Sequence, residues 1–335
     1  MRVRLTQLDG KLPNLALMKL AHWHRSRGDE VVYTRQAHRD LMEPEYDRVY
    51  GSAIFKFSSD KLERFLASWP GAIVGGTGTT STATVEDIIG EPSYEHYDYS
   101  LFPDYEPSMG FTQRGCRLSC KFCVVPTKEG KARSVNTIAD IWRGDGYPRK
   151  LHLLDNDFFG QPEDQWRARI DEIRSGSFRV CLNQGINVRH LTPEAAAAIA
   201  TIEYRDDAFK ERRLYTAWDN LKDEGVFFRG IDMLEAAGVP AKHVMAYMLV
   251  GFDKNETWDR IWHRFNRMTE RGIQPYPMVF DMRAKDQEKY RKLKQFQRWV
   301  VTGLYRAVPF SDYNPALKRT RLSGDGGAAF QPSFL

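Results

Sequence analysis

The sequence predicts an α/β protein in two parts: a small doubly wound parallel sheet over residues 1–90 and six β/α units over residues 109–306, joined by a connector. Three observations carry this. Short apolar runs alternate with helical patterns along most of the chain, as parallel strands linked by crossover helices require. Residues 91–108, EPSYEHYDYSLFPDYEPS, hold Pro, Tyr and acids with neither a helical nor a strand period, and read as the linker. Three of the four cysteines, Cys116, Cys120 and Cys123, fall within eight residues at the head of the larger part.

In order, residues 2–8 alternate as a strand, and Leu15, Leu17, Met18, Leu20, Ala21 and Trp23 give a helix over 13–27 that Gly28 stops. Strands at 30–33 and 48–57, a helix at 60–69 and a strand from residue 72 complete the small sheet. Its last turn, Gly75-Gly76-Thr77-Gly78, has the glycines that let a backbone approach a nucleotide-like ligand. In the larger part, strands fall at 109–114, 150–154, 178–183, 212–217, 244–250 and 276–282. Gln161-Pro162-Glu163 and Thr192-Pro193-Glu194 place proline at the first helical position, and Asp253 to Glu256 has the form of a capping box. The final helix, 284–306, should bury Tyr290, Leu293, Phe296, Val300 and Leu304 against the sixth strand, leaving residues 307–335 as a polar tail.

Of the 335 residues, 42% are hydrophobic and 28% charged, and no apolar run reaches the roughly 18 residues of a membrane span, so a cytoplasmic enzyme is expected. Four cysteines clustered this way cannot frame disulfides. A net charge of +5 permits a nucleic-acid partner without demanding one. The basic residues of the last helix (Lys289, Arg291, Lys292, Lys294, Arg298) read as a solvated face, because the aromatics lie on the opposite stripe.

Thiolates packed this densely repel one another unless a cation neutralises them, so Gly115 to Cys123 reads as a metal or iron–sulfur loop. A three-cysteine zinc loop is the alternative, although structural zinc normally takes four ligands and His96 and His152 are distant in sequence. The spacing C-x3-C-x2-C with Phe122 before the last cysteine resembles the cluster loop of the radical S-adenosylmethionine (radical SAM) superfamily. The resemblance implies that Cys116, Cys120 and Cys123 hold a [4Fe–4S] cluster, that its open iron binds S-adenosylmethionine, and that Phe122 packs near the adenine. It implies a partial (β/α)6 barrel of TIM type. Residues 1–90 resemble the Rossmann-like domain of the cobalamin-binding branch. The first loop, Asp9-Gly10-Lys11-Leu12-Pro13-Asn14, lacks that branch's cobalt-ligating histidine, so cobalamin is not expected, and His22 and His24 are read as structural.

Chemistry in a parallel barrel collects at the carboxyl ends of the strands. There the resemblance assigns Asp155 and Asn156 to the ammonium of S-adenosylmethionine. Asn183, Gln184 and Arg189 suit its ribose and carboxylate, and Asp219 a ribose hydroxyl. Leu249 and Gly251 are carried over as adenine contacts, with Glu256 as a helix cap. Cys181 reads as a small buried apolar residue. No cysteine remains for an auxiliary cluster, which excludes methylthio transfer and leaves methylation, rearrangement, dehydrogenation or C–C bond formation. A flavodoxin or ferredoxin is the implied electron donor, the substrate is unidentified and no catalytic side chain is assigned. The rival is a non-catalytic metal-binding or nucleic-acid-binding protein on a retained barrel.

Overall fold

Residues 1–280 and 286–315 are described by the computed structural model, whose main sheets are built from parallel strands with helices between them. The end of the expected sixth strand (281–282), the expected start of the last helix (284–285) and residues 316–335 of the tail lie outside the described residues. The chain forms two compact units. One comprises Met1–Gly110 with Gly146–Pro148, the other Phe111–Asp145 with the described part of Arg149–Phe330.

In the first unit, β1 (Arg2–Gln7), α1 (Leu15–Ser26), β2 (Glu30–Thr34), β3 (Arg48–Ser52), α2 (Ser59–Ser68), β4 (Ile73–Gly75) and α3 (Val85–Ile89) follow one another, with the strands ordered β2-β1-β3-β4. All three pairings are parallel. Alternation puts the fully buried Val3 and Leu5 on one face of β1 and the buried polar residues Arg4 and Thr6 on the other. Arg4 is 1% exposed; it donates to Glu43 Oε1 at 2.6 Å and lies over the Trp69 ring at 4.7 Å. Asn14 caps α1 by accepting from Leu17 N at 3.2 Å. His24 is buried between Asp29 and Tyr50, a structural placement as read from sequence.

Two expectations change here. Residues 91–108, read as a connector, lie within this unit, and Tyr94, Leu101 and Phe102 belong to the same apolar core as Val3 and Leu5. The close approach ascribed to the glycine turn is taken by the chain itself. A Cβ at Gly76 (φ +100°) would collide with the Ala53 carbonyl, and one at Gly78 would come within 2.7 Å of the Phe55 carbonyl.

The second unit is where the candidate chemistry lies. The expected strand at 109–114 is broken: Ser108–Gly110 forms β5, in the first unit, and Gln113–Arg114 forms β6, which pairs antiparallel with β7 (Arg133–Ser134). Between these lies α4 (Val125–Lys128), and α5 (Ile138–Ile141) follows. Then come β8 (Lys150–Leu153), α6 (Glu163–Ser175), β9 (Arg179–Leu182), α7 (Pro193–Ala200) and the short β10 (Glu203–Tyr204), with parallel order β10-β9-β8. A second parallel ladder, β11-β12-β13, comprises β11 (Leu214–Ala217), α8 (Glu224–Ala236), β12 (Val244–Val250), α9 (Trp258–Glu270) and β13 (Gln274–Val279). Ile186 N donates to Tyr215 O at 2.7 Å, tying the end of β9 to β11.

Alternation divides the faces of these strands. Leu151, Leu153, Val180, Leu182, Leu214, Ala246 and Met248 join the large helix-covered core, whereas Cys181, Tyr215 and Tyr247 form a separate cluster with Phe209. The final helix α10 (Gln287–Val301) packs on β13 and buries Leu293, Phe296, Trp299 and Val300. Arg291, Lys292, Lys294 and Arg298 are exposed. Phe310 packs against Trp262 and Trp299, so this part of the polar tail is anchored by an aromatic.

Candidate functional site

Cys116, Cys120 and Cys123 are half-buried thiols on the loop between β6 and β7. The loop is shaped by its own sequence. Gly115 has φ +77°, and a side chain there would strike the Lys131 carbonyl, so the turn into the cysteines requires glycine. Gly115 N donates to Glu129 Oε2 at 2.9 Å, Arg114 Nε lies 3.3 Å from the same oxygen, and Cys116 N donates to Gly130 O at 3.2 Å. One carboxylate thus closes the two ends of the loop together.

Residues just beyond three strand ends meet this loop, and one beyond a fourth backs them. After β8, Asp157 takes a fork from Arg117, with Nε to Oδ2 at 2.7 Å and Nη2 to Oδ1 at 2.9 Å, and also accepts Arg117 N at 3.2 Å. Asn156 Nδ2 donates to Glu129 Oε2 at 2.9 Å. After β9, Arg189 lies against the Cys120 thiol and donates to Asp223 Oδ2 at 3.1 Å; these partners hold its pKa up against burial, which pulls it down. After β12, the Phe252 ring meets Phe122 edge to face at 5.3 Å and Phe280, beyond β13, at 5.0 Å.

Burial pushes the Cys116 thiol up to about 11, with Asp157 and the other two thiols adding to the rise. Cys123 is raised in the same sense, by burial first. Cys116 and Cys123, whose ionisation burial and neighbouring thiols disfavour, belong to a set that a cation would stabilise. Among the described residues, the one set of three His, Cys or acidic ligand atoms all within 4.8 Å of one another is not this loop. A single tetrahedral ion with bonds near 2.3 Å draws thiolate sulfurs to about 3.8 Å. A polynuclear cluster instead lets each of three thiolates take a different metal atom.

Several expected ligand contacts are already used inside the protein. Asp155 accepts from Thr112 N at 2.7 Å, Gln113 N at 3.1 Å and the Thr112 hydroxyl, which makes it a bracket for the strand entering the loop. Burial nevertheless pushes its carboxyl up to about 7 against those donors. Asn183 donates to Asp207 Oδ1 at 3.4 Å and accepts from Gln184 Nε2 at 3.1 Å. Leu249 N donates to Asp219 Oδ1 at 2.9 Å, and Leu249 O accepts from Arg264 at 3.0 Å, so Asp219 and the Leu249 backbone are engaged with each other. Gly251, at φ +85°, donates its N–H to Glu256 Oε2 at 2.5 Å.

Glu256 is therefore not a helix cap. Thr257 caps α9, accepting from Arg260 N at 3.3 Å, while Glu256 is buried in an ion pair with Arg264. The reason lies in strand geometry: β12 ends on a left-handed glycine, which turns the following acid inward. Asp157, Arg117, Glu129 and Arg264 organise the loop and its surroundings, and sequence reasoning missed them. Only the acid run after β8 carried any signal for them.

Asp157→Ala should free Arg117 and loosen the loop. Amide hydrogen exchange of residues 117–123 should rise at least tenfold, the factor that about 1.4 kcal/mol represents, while amides of α8 keep their protection. Equal protection in both proteins would show that the fork does not hold the loop.

Comparison with protein-family models, with curated proteins and with solved structures finds no match to this chain. The functional reading rests on the residues and their geometry.

Proposed function

We propose that the protein is a radical SAM enzyme whose second unit is a partial (β/α)6 barrel and whose first unit is a Rossmann-like domain. The observation that carries this reading is the C-x3-C-x2-C loop, held among residues that follow four parallel strands. Cys116, Cys120 and Cys123 would hold a [4Fe–4S] cluster. When bound and reduced, such a cluster supplies the electron that cleaves S-adenosylmethionine to methionine and a 5′-deoxyadenosyl radical. Arg189, against Cys120, partly neutralises the thiolate side of the site. Phe122 and Phe252 present an apolar edge suited to an adenine ring, and Phe280 backs it. Arg117, clamped by Asp157, fixes the backbone from which Cys116 and Cys120 project. Among the described residues no helix is long and apolar enough to cross a membrane. We place the enzyme in the cytoplasm with a flavodoxin or ferredoxin as donor.

The test is anaerobic reconstitution with iron and sulfide, reduction, and assay of 5′-deoxyadenosine from S-adenosylmethionine. The competing reading, a non-catalytic protein with a zinc loop, is met if the chain binds about one zinc at these thiols and forms no 5′-deoxyadenosine.

Cobalamin is not part of this proposal. The first loop is tied to its own neighbours: Asp9 accepts from Ile54 N and Phe55 N at 2.8 and 2.9 Å, and Gln7 Nε2 donates to the Gly10 and Leu12 carbonyls at 3.2 and 3.1 Å. Chain purified from cells supplied with cobalamin should carry well under one cobalt. Stoichiometric cobalt would overturn this and make methyl transfer the favoured reaction.

A further inference from the structure

Cys181, read from sequence as a packing residue, has two chemically active neighbours. In the parallel pairing of β8 with β9, His152 stands opposite Cys181, and partners in such a register project from the same face of the sheet. Asp207, on the loop between β10 and β11, reaches over that face. One ligand atom from each of these three residues lies within 4.8 Å of the other two, the only such set among the described residues. His152 Nε2 stands 3.3 Å from Asp207 Oδ1.

We propose that His152, Cys181 and Asp207 form a site for a divalent transition-metal ion of the zinc class, separate from the cysteine loop. The donor set is one imidazole, one thiolate and one carboxylate, the mixture that zinc accepts. Bonds of about 2.0–2.3 Å in tetrahedral geometry place such donors about 3.4–3.6 Å apart. His152 and Asp207 stand near that spacing already, and the set needs to contract by about an ångström elsewhere.

The surroundings are built to hold the donors. His152 and Cys181 are 3% and 0% exposed, fixed by strands, and Phe209 packs on the imidazole at 4.7 Å between ring centroids. Asn183 Nδ2 donates to Asp207 Oδ1 at 3.4 Å, the kind of outer contact that orients a ligating carboxylate. The Asp207 backbone N–H donates to the Tyr215 hydroxyl at 3.3 Å. Its loop is closed by Asp206, whose Oδ1 accepts from Lys210 N and Glu211 N at 2.7 and 3.2 Å, and Phe209 adopts φ +58°, uncommon for a bulky residue. The Asp207 side chain remains 29% exposed, so three protein donors leave an open side, as in sites where zinc keeps a position for water or substrate. The site does not depend on the radical SAM reading, since none of its donors belongs to the cysteine loop.

The experiment uses the full chain with Cys116, Cys120 and Cys123 replaced by alanine, stripped with chelator and titrated anaerobically with Co²⁺. One equivalent should bind with a near-ultraviolet thiolate-to-metal band. Adding Cys181→Ala should abolish the band, and His152→Ala or Asp207→Asn should each weaken binding at least about tenfold. Absence of the band in a chain with native circular dichroism would overturn the proposal, and so would a band that survives Cys181→Ala. Should the triple replacement fail to fold, zinc content of the otherwise unaltered chain decides. Asp207→Asn, at a partly exposed position, should weaken retention of one zinc equivalent against a competing chelator at least about tenfold, and unchanged retention would refute the site.

Discussion

Replacing Cys116, Cys120 or Cys123 singly by alanine is expected to abolish the broad visible absorbance of the reconstituted chain and to bring 5′-deoxyadenosine formation down to background, whereas Cys181→Ala retains both. The argument is ligand count. A cubane held by three thiolates keeps one iron for an exogenous ligand, so no thiolate would be spare and the proposed cluster would have no fourth protein donor to fall back on. Cys181 sits within a strand, buried, with its face turned toward Tyr215 and Tyr247. Its loss removes a donor from a different set. If Cys181→Ala lost the visible absorbance as completely as the loop variants while remaining folded, the three-thiolate assignment would be wrong. The loop variants should keep the far-ultraviolet circular dichroism of the parent, because Gly115, Glu129 and the Arg117 fork shape the loop without the sulfurs.

The second large effect concerns stability. Arg264 is 1% exposed, and its guanidinium donates to the carbonyls of Trp218, Asp219 and Leu249, each at 3.0 Å, and to the buried carboxylate of Glu256. Burial lowers its pKa, and Glu256, Asp219 and Asp253 pull the other way. Arg264→Ala would leave one carboxylate and three carbonyls without their donor. Breaking such a buried pair costs about 3–5 kcal/mol. Urea denaturation should show a loss of that size with the slope unchanged. A loss below about 1 kcal/mol would mean that water replaces the guanidinium at no penalty. Glu256→Gln keeps one acceptor oxygen where Gly251 and Arg264 each use their own, but leaves Arg264 its three carbonyls, so its loss should be smaller than that of Arg264→Ala.

Period and turn chemistry found the strands because they are strongly patterned: Val244–Val250 is placed to the residue, and Thr192 caps α7 with Pro193 behind it. The region around residues 109–114 was misread. Its apolar start continues into Thr112 and Gln113, whose N–H groups are taken by Asp155. No local period reports a partner 42 residues away. Tyr94, Leu101 and Phe102 were assigned to a connector because a core contribution made by irregular backbone has no period to detect. His152 and Cys181 were each visible on strands, but their pairing depends on register, which the sequence does not print. Asp155 and Asn156 were singled out after β8, yet which acid does what was decided by geometry: Asp155 turns back to β6, and the neighbouring Asp157 goes forward to the loop.

The Glu129 carboxylate, which gathers Gly115, Arg114 and Asn156, sets when the entropy of the cysteine loop is spent. Bringing the ends of a loop this long together has a closure cost that grows with the logarithm of its length. Here hydrogen bonds to one carboxylate meet part of that cost within the protein itself. If the loop holds the proposed cluster, incoming iron and sulfide would meet a loop whose ends are already joined, and binding would lose less to ordering the chain. Cluster assembly would then be governed more by the supply of its inorganic parts than by a search through loop conformations.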